Sequence, residues 1–213
     1  HVVYHGCDLK RFQPLRRNGL REAARAELGL RPAEFTLLLI GNDWKKKGLR
    51  CLLEATALLA NEAIHVLVVG KDNVTPFRGI LEQSGLAGRV QFLPPRSDVE
   101  IYYAAADLYV GPSLEDAFAL PPLEAMACGL PVIVSRQAGV SELIHHAEDG
   151  LVLEDPEDAT ILAKCIQRLA DDTVFRRALA ANAARTAQTY TWESNGGAMR
   201  VLFEKIIHSR KYN

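Results

Sequence analysis

Six short apolar runs recur along the chain, separated by helical patterns and tight polar turns. They are TLLLIG (36–41), HVLVVG (65–70), VQFLP (90–94), DLYVGPS (107–113), PVIVS (131–135) and GLVLE (150–154). Within them the apolar residues are consecutive rather than alternating, the pattern of strands covered by helices on both faces. Helical segments intervene at GLRCLLEATALLA (48–60), Pro76 to Gln83, DVEIYYAAA (98–106), the Pro121-Pro122 start, and around Val140 to His145. Strand–helix repetition with short connections implies right-handed crossovers, hence an α/β fold with a doubly wound, parallel, Rossmann-like sheet. Ligands bind such sheets beyond the carboxyl ends of the strands, which directs attention to the loops after Ile40, Val69, Leu93, Val110 and Val134.

The segments outside this alternation are also readable. HVVYHGCDLKRFQP (1–14) is expected as an edge strand followed by a polar segment. Arg16 to Leu28 reads as an amphipathic helix stopped by Gly29, with Leu20, Ala24 and Leu28 inward and Arg16, Arg17, Arg21 and Arg25 as a solvated face. After Asp158 come two Ala-rich helices joined near Asp171-Asp172. TWESNGGAMRVLFEKIIHSR (191–210) is a last helix capped by Thr191, in which Gly196-Gly197 is expected to mark a bend, a late start or a close contact.

Charge and cysteine content narrow the function. The formal net charge is -1, which gives no global case for nucleic acid or a membrane surface. Cys7, Cys51, Cys128 and Cys165 lie far apart without metal-ligand spacing, and Cys51, Cys128 and Cys165, within helical apolar patterns, are expected as reduced core thiols of a cytoplasmic protein. No run has the length of a membrane span and no signal peptide is evident. Because the chain begins at His1 rather than Met, an upstream portion is expected.

Three loops carry the chemistry. GNDWKKKG (41–48) places three lysines before a helix start at the ligand end of the first strand, a setting that favours anions. It matches neither GxxxxGK[ST] nor GxGxxG, which argues against a standard nucleoside triphosphatase or dinucleotide dehydrogenase. LPPRSD (93–98) is stiffened by Pro94-Pro95; Ser97 or Asp98 is expected to cap the next helix, and Arg96 to be solvated. In GPSLEDAFALPPLEAMACGLPVIV (111–134), Pro121 and Pro122 pre-set the first helical turn, so the amides of Ala117 to Leu120 are free to meet a ligand. Glu124 presents two oxygens to vicinal hydroxyls, and Asp116 lies just before the helix. Each carboxylate alone reads equally as a turn cap or a surface helix residue. His145-His146 is expected as a helix end rather than a metal pair, since adjacent helical residues diverge.

In order, HGCDLKRFQP, GNDWKKKGLRCLLEA, LVVGKD, VQFLPPRSDVEIYYAAADLYVGPS and EDAFALPPLEAMACGLPVIVS resemble the C-terminal half of GT4-type (group 1) retaining glycosyltransferases, which have the GT-B fold. The lysine loop is nearest in form to lipopolysaccharide-core glucosyltransferases of cell-envelope polysaccharide biosynthesis. The resemblance implies an inter-domain segment (1–16), a donor-binding domain (17–190) and a helix (191–213) that packs toward an N-terminal acceptor domain. It implies binding of a nucleoside-diphosphate sugar, UDP-sugar favoured, with no cofactor and no metal. Transfer would be to a glycan or lipid-linked acceptor, at a cytoplasmic location peripheral to the inner membrane. By position, Lys47 and Lys46 match diphosphate ligands at Gly41-Asn42, Glu124 the ribose ligand, Ala117, Phe118, Ala119 and Leu120 the phosphate and sugar loop, and Arg96 the place where backbone reads the base. Asp116 orients the donor sugar and, with Lys47, stands as the catalytic pair. Asn42 replaces a usual Arg and Asp116 a usual Glu. Ala117 and Ala119 replace usual glycines, so the loop is not expected to use positive φ freely. A nucleotide-sugar epimerase and a non-catalytic nucleotide-sugar-binding module are the alternatives.

Overall fold

A computed structural model describes residues 1–59 and 61–209 of the chain. Strands β1 (Phe35–Ile40), β2 (Ile64–Val69), β3 (Val90–Leu93), β4 (Leu108–Gly111), β5 (Val132–Ser135) and β6 (Leu151–Leu153) form one sheet in the order β3-β2-β1-β4-β5-β6. Every pairing is parallel. The strand order reverses between β1 and β4, so the crevice of this doubly wound sheet opens above Ile40 and Gly111.

The consecutive apolar residues divide between two cores because successive strand side chains point to opposite faces. Leu38, Leu67, Tyr109, Val132 and Val134 pack against helices α1 (Pro14–Glu27), α4 (Glu100–Ala105), α5 (Leu120–Ala127) and α7 (Thr173–Ala187). Leu37, Leu39, Val66, Val68, Val110 and Ile133 pack against α2 (Leu49–Leu58), α3 (Arg78–Gln83) and α6 (Ala159–Asp171). A 3-10 turn at Thr75–Phe77 leads into α3, and another at Gly139–Leu143 replaces the helix expected up to His145. His145 and His146 follow it in a turn, where His146 Nδ1 accepts from the Val152 amide at 3.1 Å. The two Ala-rich helices meet at Asp171-Asp172, as the sequence indicates. Asp158 caps α6 by accepting from the Ile161 amide at 2.9 Å. Asp158→Ala should therefore destabilise the protein by about 1 kcal/mol, a fall of roughly 2–4 °C in melting temperature readable by calorimetry.

The arginines of α1 are not a solvated face. Arg17 donates to the carbonyls of Tyr103 and Ala106 at 3.1 and 2.8 Å, Arg21 to Ala104 and Ala106 at 3.1 and 2.9 Å, and Arg25 to Ala105 at 2.9 Å. Arg21 and Arg25 also pair with Asp107. The last carbonyls of the six-residue helix α4, Tyr103 to Ala105, lack intrahelical donors, and the guanidinium groups supply them. Only Arg16 stays exposed, pairing with Glu100 at 3.1 Å.

Both chain ends depart from expectation. Residues 1–14 make no strand of the sheet; Cys7 forms a single bridge with Thr191, its amide donating to Tyr190 O at 2.8 Å. The segment meets the start of the last helix rather than a sheet edge. Helix α8 (Trp192–Ser209) begins at the Thr191 cap and runs through both glycines, with nothing packed close to either. The expected endpoints at Ala60 and at 210–213 lie outside the described residues. Among the described residues no helix is long and apolar enough to cross a membrane. Cys7, Cys51 and Cys128 are buried free thiols that burial pushes up to about 12, and half-buried Cys165 is raised in the same way.

Candidate functional site

The crevice at the switch point has two walls, one from each side of the reversal. The first is the loop from Gly41 to Gly48. Asp43, at φ 55°, turns it back so that the amide of Lys47 donates to Asp43 O at 2.9 Å. Trp44 anchors it from below, 2% exposed and packed on Phe92 and Phe77. Asn42 Oδ1 accepts from the Lys71 amide at 2.8 Å and so braces the loop after β2. The loop closes at Gly48, φ 73°, where any Cβ would overlap the Pro112 carbonyl of the opposite wall. Beside it the Leu114 amide donates to Lys46 O at 2.7 Å, so the two walls are joined through backbone.

The second wall runs from Pro112 to α5. Its backbone is fastened to the segment after β5: Asp116 N to Gln137 O, Gly139 N to Asp116 O and Val140 N to Phe118 O, at 3.2, 3.1 and 2.7 Å. Asp116 Oδ1 accepts from the Phe118 amide at 3.2 Å. The amides of Ala117, Ala119 and Leu120 have no protein acceptor among the described residues. Ala119 adopts φ 67°, so the loop does use positive φ although the residue is not glycine. The fastened backbone on either side holds it there against a local cost of about 1–2 kcal/mol. Ala119→Gly relieves that cost but gains chain entropy in the unfolded state. We expect it to raise stability by somewhat under 1 kcal/mol, measured by chemical denaturation.

The charged groups converge across this crevice. Lys47 Nζ forms an ion pair with Asp116 Oδ2, both side chains being largely shielded. Lys46 pairs with Glu115 at 3.0 Å, with both side chains mostly in solvent. Glu124 is not a surface carboxylate: it is half-buried on α5, and Oε2 accepts from the Tyr103 hydroxyl at 2.6 Å. Burial raises its pKa, and the Tyr103 bond and the nearby Arg11 oppose the shift. Both carboxylates act on Tyr109, whose phenol is raised by burial and by the fields of Asp116 and Glu124.

Arg96 stands at the far side, after β3. It is ion-paired with Asp98 at 2.8 Å and with Glu27, rather than solvated. Asp98 is engaged by Arg96, and α4, which starts at Glu100, has Val99 at its N-cap with no side-chain cap bond. Among the described residues no His, Cys, Asp and Glu cluster has the makings of a metal site.

The profile of the Glycosyl transferases group 1 family matches residues 21–186, most of the chain. The chain belongs to the group 1 glycosyltransferases. Its fold is that of the C-terminal domain of a GT-B protein. It is 32% identical to the D-inositol 3-phosphate glycosyltransferase of Jonesia denitrificans, covering 96% of this chain and 51% of that protein. It is also 32% identical to the lipopolysaccharide glucosyltransferase WaaG of Escherichia coli, over 79% of this chain and 46% of WaaG. The chain thus spans about half the length of the curated relatives it matches. Among solved structures it superposes on Anabaena HepE in complex with UDP-glucose with a TM-score of 0.86 at 26% identity, covering 96% of this chain and 57% of that one. The sucrose-phosphate synthase of Thermosynechococcus elongatus gives a TM-score of 0.85 at 30% identity, covering 98% and 53%.

In this group 1 glycosyltransferase domain, the structure packs Lys47 beside Gly41 and joins it to Asp116, pairs Lys46 with Glu115, and holds Glu124 on Tyr103. It adds residues that sequence reasoning passed over. Tyr103, in the YYAAA run, holds Glu124. Tyr4 and His5 flank the Phe118 ring at 6.4 and 5.0 Å between centroids. Tyr4 is itself held by Glu142 at 2.8 Å and by Asn195 at 2.6 Å. No local signal marks these residues, because each acts on a group far away in sequence.

Proposed function

We propose that the domain binds a nucleoside-diphosphate sugar, with a UDP-sugar favoured, as the donor half of a retaining, metal-independent transferase. The observation that carries this reading is the arrangement at the switch point: the Lys47–Asp116 pair beside three unpaired loop amides, with Glu124 half-buried below. HepE, a neighbour above 25% identity, is described in complexes with UDP and with UDP-glucose, which favours uridine over the other bases.

In this reading Lys47, assisted by Lys46 and the amides of Ala117, Ala119 and Leu120, carries the diphosphate. These same groups stabilise the negative charge that builds as the glycosidic bond to phosphate breaks, a term that needs no metal ion. Asp116, released from Lys47 when the diphosphate takes the ammonium, orients the sugar hydroxyls. Glu124 accepts from the ribose hydroxyls, and the backbone at Arg96 reads the base. The acceptor, a glycan or lipid-linked sugar, belongs to an N-terminal domain, so this chain by itself binds donor without transferring sugar. The alternative of a non-catalytic module rests on Asp116, Ala117 and Ala119 standing where a Glu and two glycines are usual; Ala119 reaching φ 67° without being glycine favours the catalytic reading on that one point.

Titration calorimetry with UDP-, GDP- and ADP-glucose tests the reading. Saturable binding of one of them is expected, weakened about tenfold by Glu124→Ala. Absence of binding by all three would sink it.

A further inference from the structure

The Tyr103–Glu124 contact is built more firmly than a chance hydrogen bond. Tyr103 is fully buried, and its ring stands edge-on to Phe12 at 5.7 Å and 89°. Its own carbonyl is held by Arg17 at 3.1 Å. At 2.6 Å the hydroxyl lies at the distance of a charge-assisted bond to a carboxylate. Glu124, by contrast, has a flexible side chain, and among the described residues its Oε1 carries no hydrogen bond. A ligand carboxylate left to itself would lose orientation each time the crevice empties.

We propose that Tyr103 is a positioning residue for nucleotide binding: without touching ligand, it fixes Glu124 so that Oε1 and the outer lone pair of Oε2 are presented to the vicinal ribose hydroxyls. The inference rests on the nucleotide-sugar reading and deepens it by one residue. It also has a pH signature. Two hydroxyl donors require an ionised acceptor, and burial raises the Glu124 pKa while the Tyr103 bond lowers it. Arg11 acts with Tyr103, Glu100 acts against it, and Cys7, Cys128 and Tyr109 face the carboxylate as neutral groups because burial raises each of them. Affinity is therefore lost as pH falls through the Glu124 pKa. Removing the Tyr103 hydroxyl moves that loss to higher pH.

The test is a calorimetric titration with UDP, GDP and ADP between about pH 5 and 8. The proteins are the wild-type chain, Tyr103→Phe, Glu124→Gln and the double variant. Tyr103→Phe should weaken the bound nucleotide about tenfold at neutral pH and shift the acid limb upward. In the Glu124→Gln background the same change should alter affinity less than about twofold, because the hydroxyl acts only through the carboxylate. Equal losses in both backgrounds would mean a merely structural role and overturn the proposal. So would wild-type affinity and pH dependence in Tyr103→Phe while Glu124→Gln binds weakly, an outcome that leaves the nucleotide reading intact. If none of the three nucleotides binds the wild type, both fall. Should Tyr103→Phe unfold, Phe12→Leu loosens the ring and keeps the hydroxyl; a smaller upward shift of the acid limb is expected, and no shift counts against the proposal.

Discussion

Lys47→Ala should lower the affinity of this chain for UDP by about a hundredfold. The ammonium stands in the shielded part of the crevice, where one charge-assisted hydrogen bond is worth about 1.5–3 kcal/mol. The substitution does more than delete an attraction. It also leaves the Asp116 carboxylate unneutralised beside the proposed diphosphate position, and that repulsion places the loss toward the upper end of this range. Removing both Lys47 and Asp116 should therefore recover part of the loss for UDP, which has no donor hexose for Asp116 to orient. Lys46→Ala is the contrast. Its partner Glu115 and its own side chain are mostly in solvent, so a change of about twofold, shrinking further with added salt, is expected. Calorimetry on the four proteins settles the matter; a Lys47→Ala affinity within twofold of wild type would remove the lysine from the site.

The largest loss of stability is expected from Gly48→Ala. At φ 73° an L-residue is strained by about 1–2 kcal/mol, and the added methyl overlaps the Pro112 carbonyl. Backbone has to move to make room, which adds about 1–3 kcal/mol. The total, about 2–5 kcal/mol, corresponds to a fall of roughly 10 °C in melting temperature. Gly85→Ala isolates the first part, because Gly85 has φ 64° and no atom within 4 Å of the added methyl. The two variants should differ further in nucleotide binding. Moving Pro112 away from Gly48 strains the Leu114 to Lys46 bond and spreads the two walls, so only Gly48→Ala should weaken UDP. If both variants melt alike, the walls are not in contact in solution.

Much of this architecture is written locally. The six apolar runs became six parallel strands because each must bury both faces, and Gly29, the Pro-Pro start and Thr191 mark helix ends by their own backbone chemistry. What the sequence hid is what depends on partners. Arg17, Arg21 and Arg25 look solvent-facing until α4 proves too short to satisfy its own carbonyls. Arg96 and Asp98, two residues apart, prefer one another to their separate local tasks. Ala119 occupies a conformation its residue type disfavours because bonds on both sides hold it. Tyr103 and Glu124 are separated by a strand and a loop, and no spacing rule connects them.

The contact of Tyr4 and His5 with Phe118 bears on how small a working piece of this protein can be made. The strand and helix pattern invites a cut near residue 16, with the sheet and its helices retained. Such a trimmed protein would keep the core beneath α2, α3 and α6 but give up Cys7 and Phe12 from the core on the opposite face of the sheet. It would lose the aromatic brace on the loop after β4, together with the Asn195 and Glu142 bonds that hold the brace in place. The segment before α1 thus serves the core and the loop after β4 together. A minimal piece extends outward to include residues 4–12 and 191–195.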